Sequence, residues 1–220
     1  MILCIYENRE EALNLEPLSL TRPSFLLRCG SFSFLERIRN LLPGTRVALF
    51  VRDELASVTR ERYGNLDINP ESVTDALWLN GCVLWRKEDV DRMVEEVDTL
   101  FYRGDRLIGA HLTRQDGEQW LREGGPVRGV PDNSLSRVEI PVPVIRYLWD
   151  CVDMNGEAIS GDSDSFHLGV QEGTVDGGAH LLNSSSIHVG EGSRVKQGAV
   201  LDAENGPILV GRDVTILPNA

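Results

Sequence analysis

Two arginines in the segment PLSLTRPSFLLR, residues 17–28, are the side chains best suited by type and spacing to phosphate chemistry. Guanidinium groups stay charged and bind phosphate oxygens bidentately, so Arg22 and Arg28 on one loop could clamp a phosphate. The alternative is that each pairs with a nearby acid such as Glu16 or Glu36.

Three further residues stand where a ligand could bind. Thr21 either touches a ligand or caps the turn before Pro23. Asn80 and Gly81 follow the apolar run Leu77–Leu79, which is typical of a buried strand. The carboxyl end of such a strand is where α/β sheets bind ligands, although a plain turn explains the Asn-Gly pair equally well.

The elements that must position these residues alternate between strands and helices. Continuous apolar runs predict strands covered on both faces, and an i, i+3/i+4, i+7 pattern before Pro43 predicts a crossover helix. A βαβ unit therefore favours an α/β fold with a Rossmann-type, mostly parallel sheet. The predicted elements are strands 2–6, 47–51 and 77–79, helices 33–42 and 88–97, an antiparallel hairpin 99–110, and a loop over Thr113–Ser136 with a short helix near 118–121.

A second pattern begins near Gly173, where an aliphatic residue recurs at six-residue intervals. The first positions of these hexads are Val189, Val195, Leu201, Val210 and Ile216. One inward aliphatic residue per short face is the pattern of a left-handed parallel β-helix, with ordinary antiparallel sheet as the alternative. The predicted organisation is an α/β domain at residues 1–160, a linker at 161–172 and the first β-helix coils at 173–220. Because the last hexad is incomplete, we expect the chain to be the front part of a longer protein.

Composition excludes several classes of function. The net charge of −12 disfavours non-specific binding to nucleic acid or anionic membranes. No apolar run is long enough to span a bilayer, so no membrane partner is expected. The four cysteines form no CxxC pair, which predicts buried reduced thiols and a cytoplasmic location.

The segment LEPLSLTRP with Leu27-Arg28, and the segment LWLNG at residues 77–81, resemble the divergent GlmU-like group of sugar-1-phosphate nucleotidyltransferases. This resemblance implies a nucleotidyltransferase-like domain joined to a left-handed β-helix acyltransferase. It implies a sugar 1-phosphate and a nucleoside triphosphate, UTP above all, as substrates, Mg²⁺ as the cofactor, and a homotrimer formed through the β-helix. Arg22 and Arg28 would be the catalytic residues, and Thr21, Asn80 and Gly81 would bind the nucleotide.

Three departures from the family pattern bear on the mechanism. Acidic residues from Glu7 to Glu11 replace the glycine-rich phosphate loop, Ser24 replaces the lysine, and Cys82 replaces the metal-binding aspartate. A thiol is a poor ligand for Mg²⁺. The alternative function is therefore an inactive domain that binds a sugar nucleotide or caps a β-helix acyltransferase.

Other residues that could hold a metal have simpler explanations. Asp150 is expected to cap a helix rather than to ligate a metal. The spacing of the histidines offers no third ligand, so they are expected to have surface or hydrogen-bonding roles. The four histidines are His111, His167, His180 and His188.

Overall fold

The computed structural model describes residues 1–129, 131 and 135–220. By its contacts the chain divides into two units. The first contains residues 1–28 and 32–152, and the second contains residues 29–31 and 153–220.

Within the described part of residues 1–153 there are nine strands and seven α-helices. The strands are β1 (Ile2–Tyr6), β2 (Arg28–Cys29), β3 (Phe32–Ser33), β4 (Val47–Phe50), β5 (Asp67–Ile68), β6 (Ala76–Asn80), β7 (Thr99–Arg103), β8 (Arg106–Leu112) and β9 (Ser136–Glu139). The helices are α1 (Arg9–Asn14), α2 (Phe34–Leu41), α3 (Ala56–Arg62), α4 (Lys87–Glu95), α5 (Arg114–Arg122), α6 (Gly125–Arg128) and α7 (Leu148–Asp153).

A seven-stranded sheet forms the centre of the first unit, in the order β5-β4-β1-β6-β8-β7-β9. The strands from β5 to β6 are parallel, β8 is antiparallel to β6 and β7, and β9 is parallel to β7. The prediction of a mixed α/β fold with a mostly parallel sheet is therefore confirmed. Because the chain runs outward from β1 to β4 and β5 and then returns to β6, the order of strands reverses between β1 and β6.

The predicted strands and crossover helix lie close to their expected positions. Every residue of β1 and β6 is buried, as continuous apolar runs require. A capping box between Ser33 and Glu36 starts α2. Both side chains satisfy backbone N–H groups that would otherwise lack partners at the first turn.

The loop predicted over Thr113–Ser136 is wrong for most of its length. Helices α5 and α6 occupy residues 114–122 and 125–128, and the short helix predicted near 118–121 lies within α5, while residues 130 and 132–134 lie outside the described part of the chain. Thr113 starts α5, because its hydroxyl accepts a hydrogen bond from the Asp116 N–H and donates one of 2.6 Å to the Asp116 carboxylate. Trp120 then anchors the helix in the core. Because the segment is mostly polar, neither the capping role of Thr113 nor the burial of Trp120 was predicted from the sequence.

The second unit consists mainly of short parallel strands. It contains α8 (Asn155–Asp162) and strands β10 (Thr174–Val175), β11 (His180–Leu182), β12 (Ile187–Val189), β13 (Arg194–Val195), β14 (Val200–Asp202), β15 (Ile208–Val210) and β16 (Thr215–Ile216). Each strand from β10 to β13 pairs in parallel with the strand three places later in the chain.

The hexad positions lie inside the second unit. Val189, Val195, Leu201 and Val210 belong to one buried aliphatic cluster, and Ile216 packs against it. The insertion after β14 forms an exposed turn at residues 204–206, as the extra three residues in the spacing predict. The left-handed β-helix itself stays a prediction.

The start of α5 can be tested by replacing its capping threonine. Thr113→Ala should lower the free energy of unfolding by about 1 kcal/mol, because the first turn of α5 loses its side-chain acceptor. Thr113→Ser keeps the hydroxyl and serves as the matched control. Urea unfolding measures both variants, and equal stabilities would contradict the assigned cap.

Candidate functional site

The reversal point between β1 and β6 is closed by an aromatic side chain. The Gly81 N–H donates to the Tyr6 carbonyl at 2.7 Å, which joins the carboxyl ends of the two strands. Phe25 is fully buried, and a Cβ added to Gly81 would lie only 2.5 Å from its Cβ. A glycine is therefore needed at position 81 for close packing against Phe25.

A buried ion pair ties the loops beside this point together. The Glu7 carboxylate is fully buried and accepts hydrogen bonds from the Arg52 N–H at 2.9 Å and the Arg52 Nε at 3.1 Å. It also accepts one from the Ser24 N–H at 2.9 Å. The other end of the Arg52 guanidinium donates to the Ser19 carbonyl at 2.6 Å. The acidic residue that directly follows β1 therefore faces the protein interior rather than a ligand.

A second polar cluster connects α1, β6 and β8. Asn80 is fully buried; its Oδ1 accepts from the Cys82 N–H, and its Nδ2 donates to Glu11 Oε2 at 2.8 Å. The other Glu11 oxygen accepts from Arg106. Because the backbone of Cys82 fixes the orientation of the Asn80 amide, Asn80 positions Glu11, and Glu11 in turn holds Arg106.

Arg106 and Glu11 lie in the wall of a cavity of about 560 Å³. Beside it lies a cavity of about 370 Å³ that shares four lining residues with it, so we treat the two as one space and name it the arginine cleft. The shared residues are Arg9, Pro126, Val127 and Arg128. The cleft lies beyond the ends of β1 and β4, since Tyr6 and Phe50 line it.

The arginines of the cleft differ in how tightly they are held. Arg9 pairs with Glu54 at 3.4 Å and Arg128 pairs with Asp53, and all four side chains are about half exposed or more. The Arg106 pair is different, because only 4% of the Glu11 side chain is exposed. Exposed pairs contribute about 0–1 kcal/mol, so a phosphate could displace Glu54 or Asp53 at little cost.

Three of the predicted site residues lie away from the arginine cleft, whereas Asn80 is connected to it. Thr21 and Arg22 are exposed, and Arg28 forms an exposed pair with Glu36 at 3.4 Å, which was the alternative predicted for it. None of the three lines either cavity of the arginine cleft. Asn80 reaches the cleft through Glu11. The catalytic role of Arg22 and Arg28 stays a prediction.

The three arginines that line the cavity of about 560 Å³, Arg9, Arg106 and Arg128, are not among the predicted site residues. Arg9 lies in the acidic run after β1, and Asn8 Oδ1 caps the helix that carries it. Arg106 stands at a hairpin turn, and its proximity to Glu11 depends on the pairing of β8 with β6. Arg128 lies in the segment predicted as loop. Of these, only Arg9 had a local signal, a basic residue directly after the first strand.

The residues at the end of β6 do not fit a Mg²⁺ site. Burial raises the pKa of the Cys82 thiol, so position 82 offers a neutral sulfur instead of an oxygen ligand. The carboxylates of Glu7 and Glu11 are already taken by hydrogen-bond donors. Within residues 1–129, 131 and 135–220 no cluster of three or more His, Cys, Asp or Glu side chains could hold a metal.

The second unit has a cavity of its own, of about 740 Å³, lined in part by His167, His188 and Arg212. His188 contacts the His167 carbonyl at 3.2 Å through Nδ1, and its ring packs against Phe166. His188 therefore has one of the hydrogen-bonding roles predicted for the histidines. Asp150 accepts from the backbone N–H groups of residues 146 and 147 at the start of α7, as a capping residue does.

Residues 3–170 match a family model described as sugar nucleotidyl transferase. No curated protein matches the chain. None of the helices in the described part of the chain has the length and hydrophobicity of a membrane-spanning segment.

The buried position of Glu11 predicts a pH effect on stability. Burial raises its pKa above the ordinary value of 4.5, although Arg106 and Asn80 act in the opposite direction. Between pH 4.5 and the raised pKa, the folded state keeps the proton on this carboxyl, whereas the unfolded state has released it. The Glu11 carboxyl therefore stabilises the fold less as the pH rises through this interval.

In the Glu11→Gln variant the side chain at position 11 cannot ionise. The stability of the wild type relative to this variant should therefore fall as the pH rises through that interval and should level off above it. Urea unfolding of both proteins over a pH series measures the difference. A difference that does not change with pH, or one that grows as the pH rises, would show that burial does not raise the pKa.

Proposed function

Since the chain belongs to the sugar nucleotidyl transferase family, we propose that its first unit binds a nucleoside triphosphate and a sugar 1-phosphate in the arginine cleft and joins them. The observation that carries this proposal is the convergence of Arg9, Arg106 and Arg128 on one cavity beyond the carboxyl ends of β1 and β4. This edge is where open α/β sheets bind ligands.

The proposed reaction needs charge neutralisation more than acid-base chemistry. A phosphate oxygen of the sugar 1-phosphate attacks the α-phosphorus of the triphosphate, the bond to the β-phosphate breaks, and pyrophosphate leaves. Arg9 and Arg128 exchange their exposed carboxylate partners for phosphate oxygens. Arg106 stays paired with Glu11, so the pair adds no net charge, but its remaining N–H groups can donate hydrogen bonds to phosphate at the cavity wall.

In this proposal Mg²⁺ binds to the phosphates of the triphosphate and has no separate site on the protein. Magnesium commonly binds substrate phosphates and keeps several of its waters, so it needs few protein ligands. This role agrees with a β6 end that offers Cys82 in place of a carboxylate. We propose UTP as the nucleotide on the strength of the resemblance in residues 15–28 and 77–81.

The resemblance also extends the proposal to the second unit. Its parallel strands and buried hexad residues are consistent with the first coils of a left-handed β-helix of the acyltransferase kind. We therefore propose that the chain is the front part of a bifunctional GlmU-like transferase that assembles as a trimer. The four free cysteines suit the reducing cytoplasm.

A second candidate function is binding of a sugar nucleotide without turnover. Two observations favour it: Phe25 closes the reversal point at Gly81, and the Glu7 carboxylate is turned inward. In this case the arginine cleft would hold the diphosphate of a sugar nucleotide, and no pyrophosphate would be released.

Pyrophosphate release by the full chain, measured with Mg²⁺, sugar 1-phosphates and each nucleoside triphosphate in turn, tests the proposal. Arg9→Ala and Arg128→Ala should each lower kcat/KM by about 10- to 100-fold, because each removes a charged donor to phosphate. Arg92→Ala is the matched control, since Arg92 forms a similarly exposed ion pair on α4 and should leave the rate unchanged.

The variants Arg22→Ala and Arg28→Ala decide between the two sets of arginines. A loss of activity confined to these two would contradict the cleft and support the loop clamp. Calorimetric binding of a sugar nucleotide that depends on Arg9 and Arg128, with no pyrophosphate released from any substrate pair, would establish the second candidate instead.

A further inference from the structure

The carboxylate of Glu7 is surrounded like a bound ligand. Its two oxygens accept three hydrogen bonds: from the Ser24 N–H, the Arg52 N–H and the Arg52 guanidinium. Arg52 is 4% exposed and Glu7 is fully buried, so the ion pair lies away from bulk solvent.

The two backbone donors are available for a structural reason. Ser24 is the first residue of a 3₁₀ turn, Ser24–Leu26, and Arg52 immediately precedes another, Asp53–Leu55. The first N–H groups of a helical turn have no acceptor within the turn. They therefore need an outside acceptor, and two such groups beside a guanidinium suit an anion.

Glu7 and its hydrogen-bond donor Arg52 lie at the ends of two adjacent parallel strands. Glu7 directly follows β1, and Arg52 lies two residues after β4. Donors at the carboxyl ends of adjacent parallel strands lie where open α/β sheets hold their ligands. At this edge an anion is present, but it belongs to the protein's own chain.

We propose that the Ser24 N–H, the Arg52 N–H and the Arg52 guanidinium form an oxyanion site and that the Glu7 carboxylate is its resident occupant. The site binds a carboxylate-like anion from solution when the Glu7 side chain is removed. In the wild type the Glu7 carboxylate fills this oxyanion site, so substrate phosphates cannot bind there. This part of the proposal rests on the proposed function and explains why the phosphates would bind in the arginine cleft instead.

Glu7→Ala tests the proposal by chemical rescue. The substitution removes one methylene and one carboxylate, which together have the size of acetate. Sodium acetate should raise the Tm of Glu7→Ala by about 3 °C or more above its value in sodium chloride of equal ionic strength, because acetate binds only the folded state. Acetamide, of the same shape but uncharged, should stabilise it less.

Two further variants serve as controls for this response. Glu54→Ala loses an exposed carboxylate that is paired with Arg9, so acetate should not stabilise it more than chloride does. Glu7→Ala combined with Arg52→Met lacks the guanidinium and should lose most of the acetate response. An equal response in this double variant would overturn the assignment of Arg52 to the site.

Each result decides the proposal. If Glu7→Ala is unfolded in chloride, recovery of its circular dichroism spectrum in acetate supports the oxyanion site, and failure to recover overturns it. If the variant is folded, equal Tm values in acetate and chloride overturn it. No nucleotide is present in this experiment, so the result is independent of pyrophosphate release, whose absence would count against the proposed function alone.

Discussion

The buried ion pair between Glu7 and Arg52 is the interaction on which the carboxyl-terminal edge of the parallel strands in the first unit depends. It joins the end of β1 to the end of β4 and, through Ser19 and Ser24, fixes the loop between them. Removing one partner of such a pair leaves an uncompensated buried charge and costs about 3–5 kcal/mol. That cost is a large part of the 5–15 kcal/mol by which a typical domain is stable.

This pair gives a common cause to two of the departures from the nucleotidyltransferase pattern. An acidic residue can follow β1 because Arg52 neutralises it, and a serine can stand at position 24 because its backbone N–H, not its side chain, contacts Glu7. At position 82 the backbone N–H holds Asn80, while the thiol remains buried and neutral. Where the resemblance implies a phosphate-binding loop, residues of this chain make contacts with one another instead.

Three arginines lie to one side of the reversal point between β1 and β6. Phe25 closes the reversal point at Gly81, while Arg9, Arg106 and Arg128 line the neighbouring cleft. The Asn80–Glu11 contact gives Arg106 a fixed position, whereas the exposed pairs of the other two arginines are weak enough to exchange. Of these three arginines, one therefore has a fixed position and two can change partners.

The sequence by itself determined the elements whose signals are local. The buried runs of β1 and β6, the capping box of α2 and the six-residue aliphatic period each depend on neighbours within a few residues. Only the tertiary structure decided which charged groups meet. Glu7 and Arg52 are 45 residues apart, and Glu11 and Arg106 are 95 apart. A guanidinium binds any carboxylate within reach, so the partner of each arginine follows from strand order, which no local pattern encodes.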